Sequence, residues 1–289
     1  MNIAVCLKVV PDLNVPEVIN RASGHLDETF VSYEFDQQSL AALEMALRLK
    51  QKHGAKLFAV VVGPEHVNVH LQEIYALGVD QIYRIWHECL ELTDTHGKAL
   101  VITALLEELK PNLILCGCRS RDTGHRQFAA YLAESLQFAQ VTGVAADIQL
   151  QDDNFIAYRR LEQGAREQIQ VVLPAVVAVD LEVGGISYAP LDQYLDSFHK
   201  TIKDIKLFQL GLSPEDISSW SALNRLVRIC PPNPVPQAIF TPDSSLDSLD
   251  RIRAIVSGGL NQKSGEIVAG SPVELAEKAL QFLIQRGFI

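Results

Sequence analysis

Between an apolar run and a helix the chain reads Gly117-Cys118-Arg119-Ser120-Arg121-Asp122-Thr123-Gly124-His125-Arg126-Gln127-Phe128. Glycine, hydroxyl, amide and cationic side chains ahead of a helix start are what an anion needs. The first backbone N–H groups of a helix lack partners, and its dipole adds partial positive charge there. Arg126, Gln127 and the Thr123 hydroxyl can add hydrogen bonds to a phosphate. The competing reading is a capped helix with solvated arginines. Neither G-x-G-x-x-G nor G-x-x-x-x-G-K-[ST] occurs, so a Rossmann fingerprint and a P-loop are both unsupported. Cys116-Gly117-Cys118 is too close for a redox C-x-x-C and has no second ligand pair. The eight histidines show no H-E-x-x-H or paired-ligand spacing, so no metal site is expected. Asp152-Asp153 reads as a turn rather than a catalytic dyad, and Trp86 and Trp220 as packing residues near element ends.

The elements that would position this loop alternate. Ile3–Val10 reads as a buried strand, Gln37–Lys52 as a helix capped by Asp36, and Lys56–Val62 as a strand broken by Gly63-Pro64. A helix over Glu65–Leu77, a strand at Gln81–Ile85, a helix over Gly97–Leu109, the strand Leu113–Cys116 and a helix over Arg126–Leu136 follow. Such alternation predicts a doubly wound α/β domain with a mostly parallel sheet covered on both faces. Ligands then sit past the carboxyl ends of the strands, so the loops Lys8–Asp12, Tyr33–Asp36, Val62–Pro64 and Gly117–Phe128 are the candidates. Short strands are expected at Val144–Gln151, Phe155–Arg160 and Gln168–Val172, and a last core strand at Ala175–Val179. Beyond Asp180 the periodicity fades. Lys200–Leu210 reads as a strand or extended arm, Pro231–Pro236 as polyproline-like, Thr241–Asn261 as polar with one weak helical stretch, and Pro272–Arg286 as a helix capped by Ser271. Residues 1–190 are therefore expected to form one α/β domain, and 191–289 a C-terminal extension that packs on a partner or wraps its own domain.

The chain has 289 residues, 48% of them hydrophobic, and a formal charge of -10. That balance makes nucleic acid and anionic membranes poor partners. Five scattered cysteines suit reduced thiols and a cytoplasmic location. No signal-peptide pattern and no membrane-length apolar run is present.

One segment fits no common catalytic motif. Ala157-Tyr158-Arg159-Arg160-Leu161-Glu162-Gln163-Gly164 runs on to Gln168-Ile169-Gln170-Val171-Val172-Leu173-Pro174-Ala175-Val176-Val177-Ala178. It resembles the signature of the electron transfer flavoprotein beta-subunit family, a hairpin rather than a chemical centre, with only Gln163 outside the Gly, Asp or Glu expected there. Lys8-Val9-Val10-Pro11-Asp12 is similar to the family's KxVPD opening, Ala46-Leu47-Arg48-Leu49-Lys50 to its EALRLKE helix, Ala76-Leu77-Gly78-Val79-Asp80 to its A-x-G-A-D, and Leu113–Gly117 to its DLILCG strand. The likeness runs in order from Lys8 to Ala178 and returns in the helix Glu274–Phe288.

The resemblance implies a fold of the adenine-nucleotide alpha-hydrolase-like type. It implies an electron carrier subunit without bond-making catalysis, paired with an alpha subunit that holds most of an FAD. The beta chain would bury AMP, or a second FAD in bifurcating members, and the pair would carry electrons from a flavin dehydrogenase to an acceptor. The expected nucleotide-binding residues are Cys6, Tyr33, Phe35, Asp36, Val62, Gly117, Asp122, Thr123, Gly124, His125, Arg126, Gln127 and Phe128. Tyr188 and Leu191 are the expected partner-binding residues. Departures fall in the same loops. Tyr33-Glu34-Phe35-Asp36-Gln37 stands where many members have Asn-Pro-Phe-Asp/Cys-Glu. Against D-G-D-T-x-Q-x-G, Asp122 and Gln127 match, while Gly124, His125 and Ala129 replace the second acid, the Thr and the Gly. The lysine-rich stretch after the family's leucine is missing beyond Leu191, and the tail carries an apparent insertion around Asp243–Lys263. A stand-alone adenine-nucleotide-binding protein or hydrolase of the same fold, and a nucleotide-free scaffold subunit, are the alternatives.

Overall fold

A computed structural model describes residues 1–12, 14–15, 18, 27, 31–91, 93–220, 241–256 and 268–288. The polyproline-like run and part of the 243–263 insertion lie outside them. The elements, in order, are β1 (Asn2–Leu7), β2 (Val9–Pro11), β3 (Tyr33–Phe35), α1 (Gln37–His53), β4 (Lys56–Val62), α2 (Asn68–Ala76), β5 (Gln81–Ile85), α3 (Thr95–Leu109), β6 (Leu113–Gly117), α4 (Phe128–Leu136), β7 (Ala139–Val144), β8 (Gln149–Leu150), β9 (Asn154–Arg160), β10 (Arg166–Val172), β11 (Ala175–Val179), α5 (Leu191–Ser197), β12 (Lys203–Ile205), α6 (Pro214–Trp220), α7 (Ser248–Val256) and α8 (Pro272–Gln285).

The main sheet runs β10-β9-β7-β11-β6-β1-β4-β5-β12, with β8 beside β9, ten strands in all. Its middle is parallel, and β7, β8 and β10 each pair antiparallel with β9. Past the first residues of β1 and β4, Asn2 and Lys56, the central strands are apolar because helices cover both faces. Alternate residues serve opposite cores. Ile3, Val5, Leu7, Leu57, Val61, Leu113, Leu115 and Val177 pack with α1 and α2. Ala4, Cys6, Val60, Ile114, Cys116 and Val176 pack with α3 and α4. From β1 the chain goes to β4 and β5 on one side, then returns to β6 on the other, so the strand order reverses between β1 and β6. Cys6 lies opposite Cys116 at that seam.

The expected strand Ile3–Val10 is two strands. It breaks at Lys8, whose carbonyl accepts from Asp36 N at 2.9 Å, and β2 leaves to pair with β3 in a separate two-stranded sheet. The expected start of α4 at Arg126 is also corrected: Arg126 has φ 58, a left-handed conformation that cannot lie inside the helix, which begins at Phe128. Ala139–Val144 is a strand that the sequence reading placed elsewhere.

The hairpin segment is the antiparallel pair β9–β10, in register from Arg160–Arg166 to Asn154–Val172. Its turn places Gln163 at φ 57 and Gly164 at φ 79, a geometry in which Gln carries a steric cost that Gly avoids. Arg159 pairs with Glu167, and Arg160 and Arg166 both pair with Glu182.

The chain forms two compact units, 1–231 and 232–289, so the α/β unit runs past residue 190. Within the first, α5 packs on α2, β12 extends the sheet beside β5, and Ile217 of α6 is fully buried with α3. In the second, α8 starts with a capping box: Ser271 N donates to Glu274 Oε2 at 2.9 Å and Glu274 N to Ser271 Oγ at 3.5 Å. Among the described residues no helix is long and apolar enough to cross a membrane.

Candidate functional site

A cavity of about 530 Å³ opens at the carboxyl ends of β1, β4 and β6, beside the seam where the strand order reverses. That size lies within the range of about 300–1,000 Å³ typical of small-molecule sites. Its walls come from the first turns of three helices and the loops before them.

Two of those turns are closed by carboxylates. Asp36 caps α1, accepting from Ser39 N at 3.1 Å, and its other oxygen accepts from Arg121 N at 2.8 Å. Asp94 caps α3, accepting from Gly97 N at 2.9 Å. The start of α4 differs: Gln127 provides no side-chain cap, and Tyr131 N is the first amide to enter the helical ladder, donating to Gln127 O at 3.0 Å. The amides of Phe128, Ala129 and Ala130 precede that ladder, and nothing anionic from the helix itself meets them.

The loop before α4 is held from several sides. Gln38 Oε1 accepts from Arg119 N at 2.7 Å, and Arg121 Nη1 lies 2.6 Å from Glu34 Oε1. Lys8 Nζ lies 2.7 Å from Asp122 Oδ2 and donates to Ser120 Oγ at 3.2 Å. Ser120 Oγ is 2.9 Å from Thr123 Oγ1, and Asp122 Oδ1 accepts from Thr123 N at 2.7 Å. His125 Nδ1 is 3.1 Å from Thr95 Oγ1 at the head of α3. Gly124 turns the loop at φ 62. Arg126, at φ 58, reverses the chain into α4 with its side chain on the cavity wall. Non-glycine residues in this conformation concentrate at sites where a ligand is gripped.

Burial pushes the Asp122 carboxyl up, but the Lys8 charge and the hydrogen bonds from Lys8, Ser120 and Thr123 outweigh it and leave the group below its ordinary value. Burial lowers Lys98, and the neighbouring charge of Lys8 lowers it further. The thiols are pushed up by burial, Cys6 to about 12 and Cys118 to about 11, and Cys116 also rises. Raised this way, they are held as thiols at neutral pH, the form that packs in an apolar core rather than the reactive thiolate. Among the described residues no cluster of His, Cys, Asp or Glu has the arrangement of a metal site.

Of the expected site residues, Cys6, Tyr33, Asp36, Val62, Gly117, Asp122, Thr123, His125, Arg126, Gln127 and Phe128 all line the cavity. Phe35 and Gly124 do not. Phe35 is buried in the α1 core, edge-on to His70, and Gly124 shapes the loop. Trp86 lines the cavity instead of serving only as packing. Sequence reasoning passed over His66, which packs against the Tyr33 ring at 4.8 Å, and Thr95 and Lys98 of α3. The three-residue spacing of Thr95 and Lys98 put them on one helix face, but only the strand order shows that this face meets the cavity.

Tyr188 is fully exposed and Leu191 is 72% exposed, in the loop before α5 and at its first residue. They stand apart from the cavity lining. Leu195 of α5 and Phe198 at its end are exposed as well.

Residues 24–186 match the family described as "Electron transfer flavoprotein domain". The chain is 26% identical over 233 residues to "Electron transfer flavoprotein subunit beta" of Methylophilus methylotrophus, covering 79% of this chain and 88% of that protein. It is 27% identical over 236 residues to a protein of the same description from Thermoanaerobacterium thermosaccharolyticum, covering 81% and 89%. It is 29% identical over 217 residues to "Caffeyl-CoA reductase-Etf complex subunit CarD" of Acetobacterium woodii, covering 74% and 82%.

Proposed function

The chain belongs to the electron transfer flavoprotein domain family, and from that premise we propose that it is a beta-type subunit that holds an adenine nucleotide and pairs with an FAD-holding alpha subunit. The pair would carry electrons from a flavin dehydrogenase to an acceptor, with no bond-making step on this chain. The alpha subunit's FAD, when bound, supplies the redox chemistry. This chain's residues bind, orient and exclude water.

The observation that carries the reading is the uncapped start of α4 facing the cavity while α1 and α3 are closed by Asp36 and Asp94. The free amides there, with Arg126 and the Thr123 hydroxyl, are the groups that would hold a phosphate. Tyr33 and His66 offer ring faces for a base. The retained Asp122 has a structural part in this scheme: it fixes Lys8 and the loop rather than touching an anion. The hydroxyl missing at 125 is met by an imidazole that leans on Thr95. Tyr188 and Leu191 are the proposed anchors for a protein partner, exposed aromatic and aliphatic groups of the kind that fill a partner's pocket.

The test is to purify the chain with its alpha-type partner, denature the complex and identify what is released. FAD together with an adenine nucleotide, or two FAD, supports the reading. FAD alone means that the chain is a scaffold, and a lone chain that hydrolyses ATP overturns the reading altogether.

A further inference from the structure

Arg84 is the one lysine or arginine among the described residues that is buried, at 4% exposure. It stands on β5 between Tyr83 and Ile85, where an aliphatic side chain would suit the core. By strand alternation it shares the face of Ile82, toward α1 and α2. A guanidinium taken out of water needs a counter-charge and hydrogen bonds. Nη1 donates to the Gly63 carbonyl at 3.1 Å, and Nη2 lies 2.6 Å from Asp204 Oδ1 of β12. Among the described residues the buried Nε has no hydrogen-bond partner, so those two contacts carry the group.

Gly63 belongs to the cavity. It follows β4, its N–H donates to Ile85 O at 3.2 Å, and it lines the wall with Val62 and Pro64. Asp204 stands opposite Arg84 in the β5–β12 register. β12 has fastenings of its own. Tyr75 Oη donates to Thr201 O at 2.8 Å, Gln81 Nε2 donates to the same carbonyl at 3.2 Å, and Lys203 Nζ lies 5.4 Å from the centre of the Tyr83 ring. What Arg84 adds is a tie from that edge strand to the cavity wall.

We propose that Arg84 is a positioning residue: held by Asp204, it fixes the Gly63 carbonyl and so sets the Val62–Pro64 wall against the ligand of the cavity. Its effect on a nucleotide rests on the adenine-nucleotide reading, and its hold on the wall does not.

The experiment uses the full chain as wild type, Arg84→Met/Asp204→Asn, Asp204→Asn and Lys203→Met. The double variant removes both charges together, so no buried charge is left unpaired. Hydrogen exchange of the Gly63 amide, read without ligand, should quicken about tenfold in the double variant while the amides of β1 keep their rates. Calorimetric titration with AMP and with FAD should show binding weakened about tenfold. Asp204→Asn, which leaves the sheet interior intact, should move both readings the same way by a smaller factor. Lys203→Met removes a contact of β12 without touching Arg84 and should move neither. Unchanged Gly63 exchange in both Asp204 variants overturns the proposal whatever the nucleotides do. Faster exchange with unchanged affinity overturns it too, and so does an equal change in Lys203→Met, which would make the effect one of β12 stability alone. A wild type that binds neither AMP nor FAD overturns the adenine-nucleotide reading, and the exchange rates then decide the hold of Arg84 on the wall by themselves.

Discussion

Lys8 Nζ lies 2.7 Å from Asp122 Oδ2, an ion pair that ties the end of β1 to the loop after β6 across the seam of the sheet. The pair uses up the one acid of the loop that faces the cavity, so the start of α4 keeps its positive potential.

Asp122→Asn should lower stability by about 1 kcal/mol at neutral pH, since both partners are partly exposed. The Asp122 carboxyl is held below its ordinary value of 3.8 in the folded chain. Its stabilisation is therefore present above that value and lost as pH falls through the lower folded value. The melting-temperature gap between wild type and Asp122→Asn should be constant above pH 5 and close only in strong acid. A gap that widens on acidification would mean that Lys8 does not hold Asp122 ionised.

Gly117 ends β6 where α1 begins to cover it. A Cβ there would lie 2.8 Å from Gln38 Cβ and 2.9 Å from the Gln38 carbonyl carbon. Gly117→Ala should therefore cost about 1–3 kcal/mol. It should also loosen the contact of Gln38 with Arg119 N, exposing the Arg119 and Arg121 amides to faster hydrogen exchange. Unchanged exchange would show that α1 moves without disturbing the loop.

The surface carrying Tyr188 is tied to α1. Glu44, buried, takes Arg48 Nε at 3.0 Å and Ser187 N at 3.3 Å, and Arg48 Nη1 reaches Asp147 at 3.0 Å and Val183 O at 3.3 Å. Glu44→Gln weakens the ionic part of this net and should cost about 1–2 kcal/mol. It should speed hydrogen exchange and proteolysis over 184–188 while the nucleotide affinity stays the same. A fall in nucleotide affinity of similar size would argue instead that α1 shifts as a whole.

Cys6 and Cys118, pushed up to about 12 and 11, should react slowly with iodoacetamide at pH 7.5, and Cys116 likewise. Peptide mapping of native and denatured protein reads this directly. Rapid native labelling of Cys118 would contradict its placement against Gly143 and Asp180.

Where apolar runs cross the whole sheet, the sequence alone predicts the element: Lys56–Val62, Gln81–Ile85 and Ala175–Val179 occur with the expected bounds. What it hides is where long-range contacts override local pattern. Leu7-Lys8-Val9-Val10 reads as one strand, yet the chain leaves the sheet at Lys8 because its carbonyl accepts from Asp36 N and Val9–Pro11 pairs with Tyr33–Phe35, partners the local pattern does not show. Arg126 is a good helix former placed outside the helix by the turn that faces α4 into the cavity. The short helices α5 and α6 have too few residues for a clear period, and they form because Ser197 and Ile217 bury against α2 and α3. The cavity loops Val62–Pro64 and Gly117–Phe128 were legible, since each follows a strand end; the expected loops Lys8–Asp12 and Tyr33–Asp36 instead hold the paired strands β2 and β3. The part of α3 was not, because Lys98 reads as an ordinary helix-surface lysine until the strand order brings β5 and β6 to opposite sides of β1.

The central claim is that the start of α4 holds a phosphate of an adenine nucleotide. An experimental density map of the chain purified with its partner tests it most directly. The account predicts a nucleotide in the cavity with a phosphate within hydrogen-bonding distance of the Phe128 and Ala129 amides and of Arg126. A cavity holding only water, or a nucleotide whose phosphate lies away from α4, would contradict it.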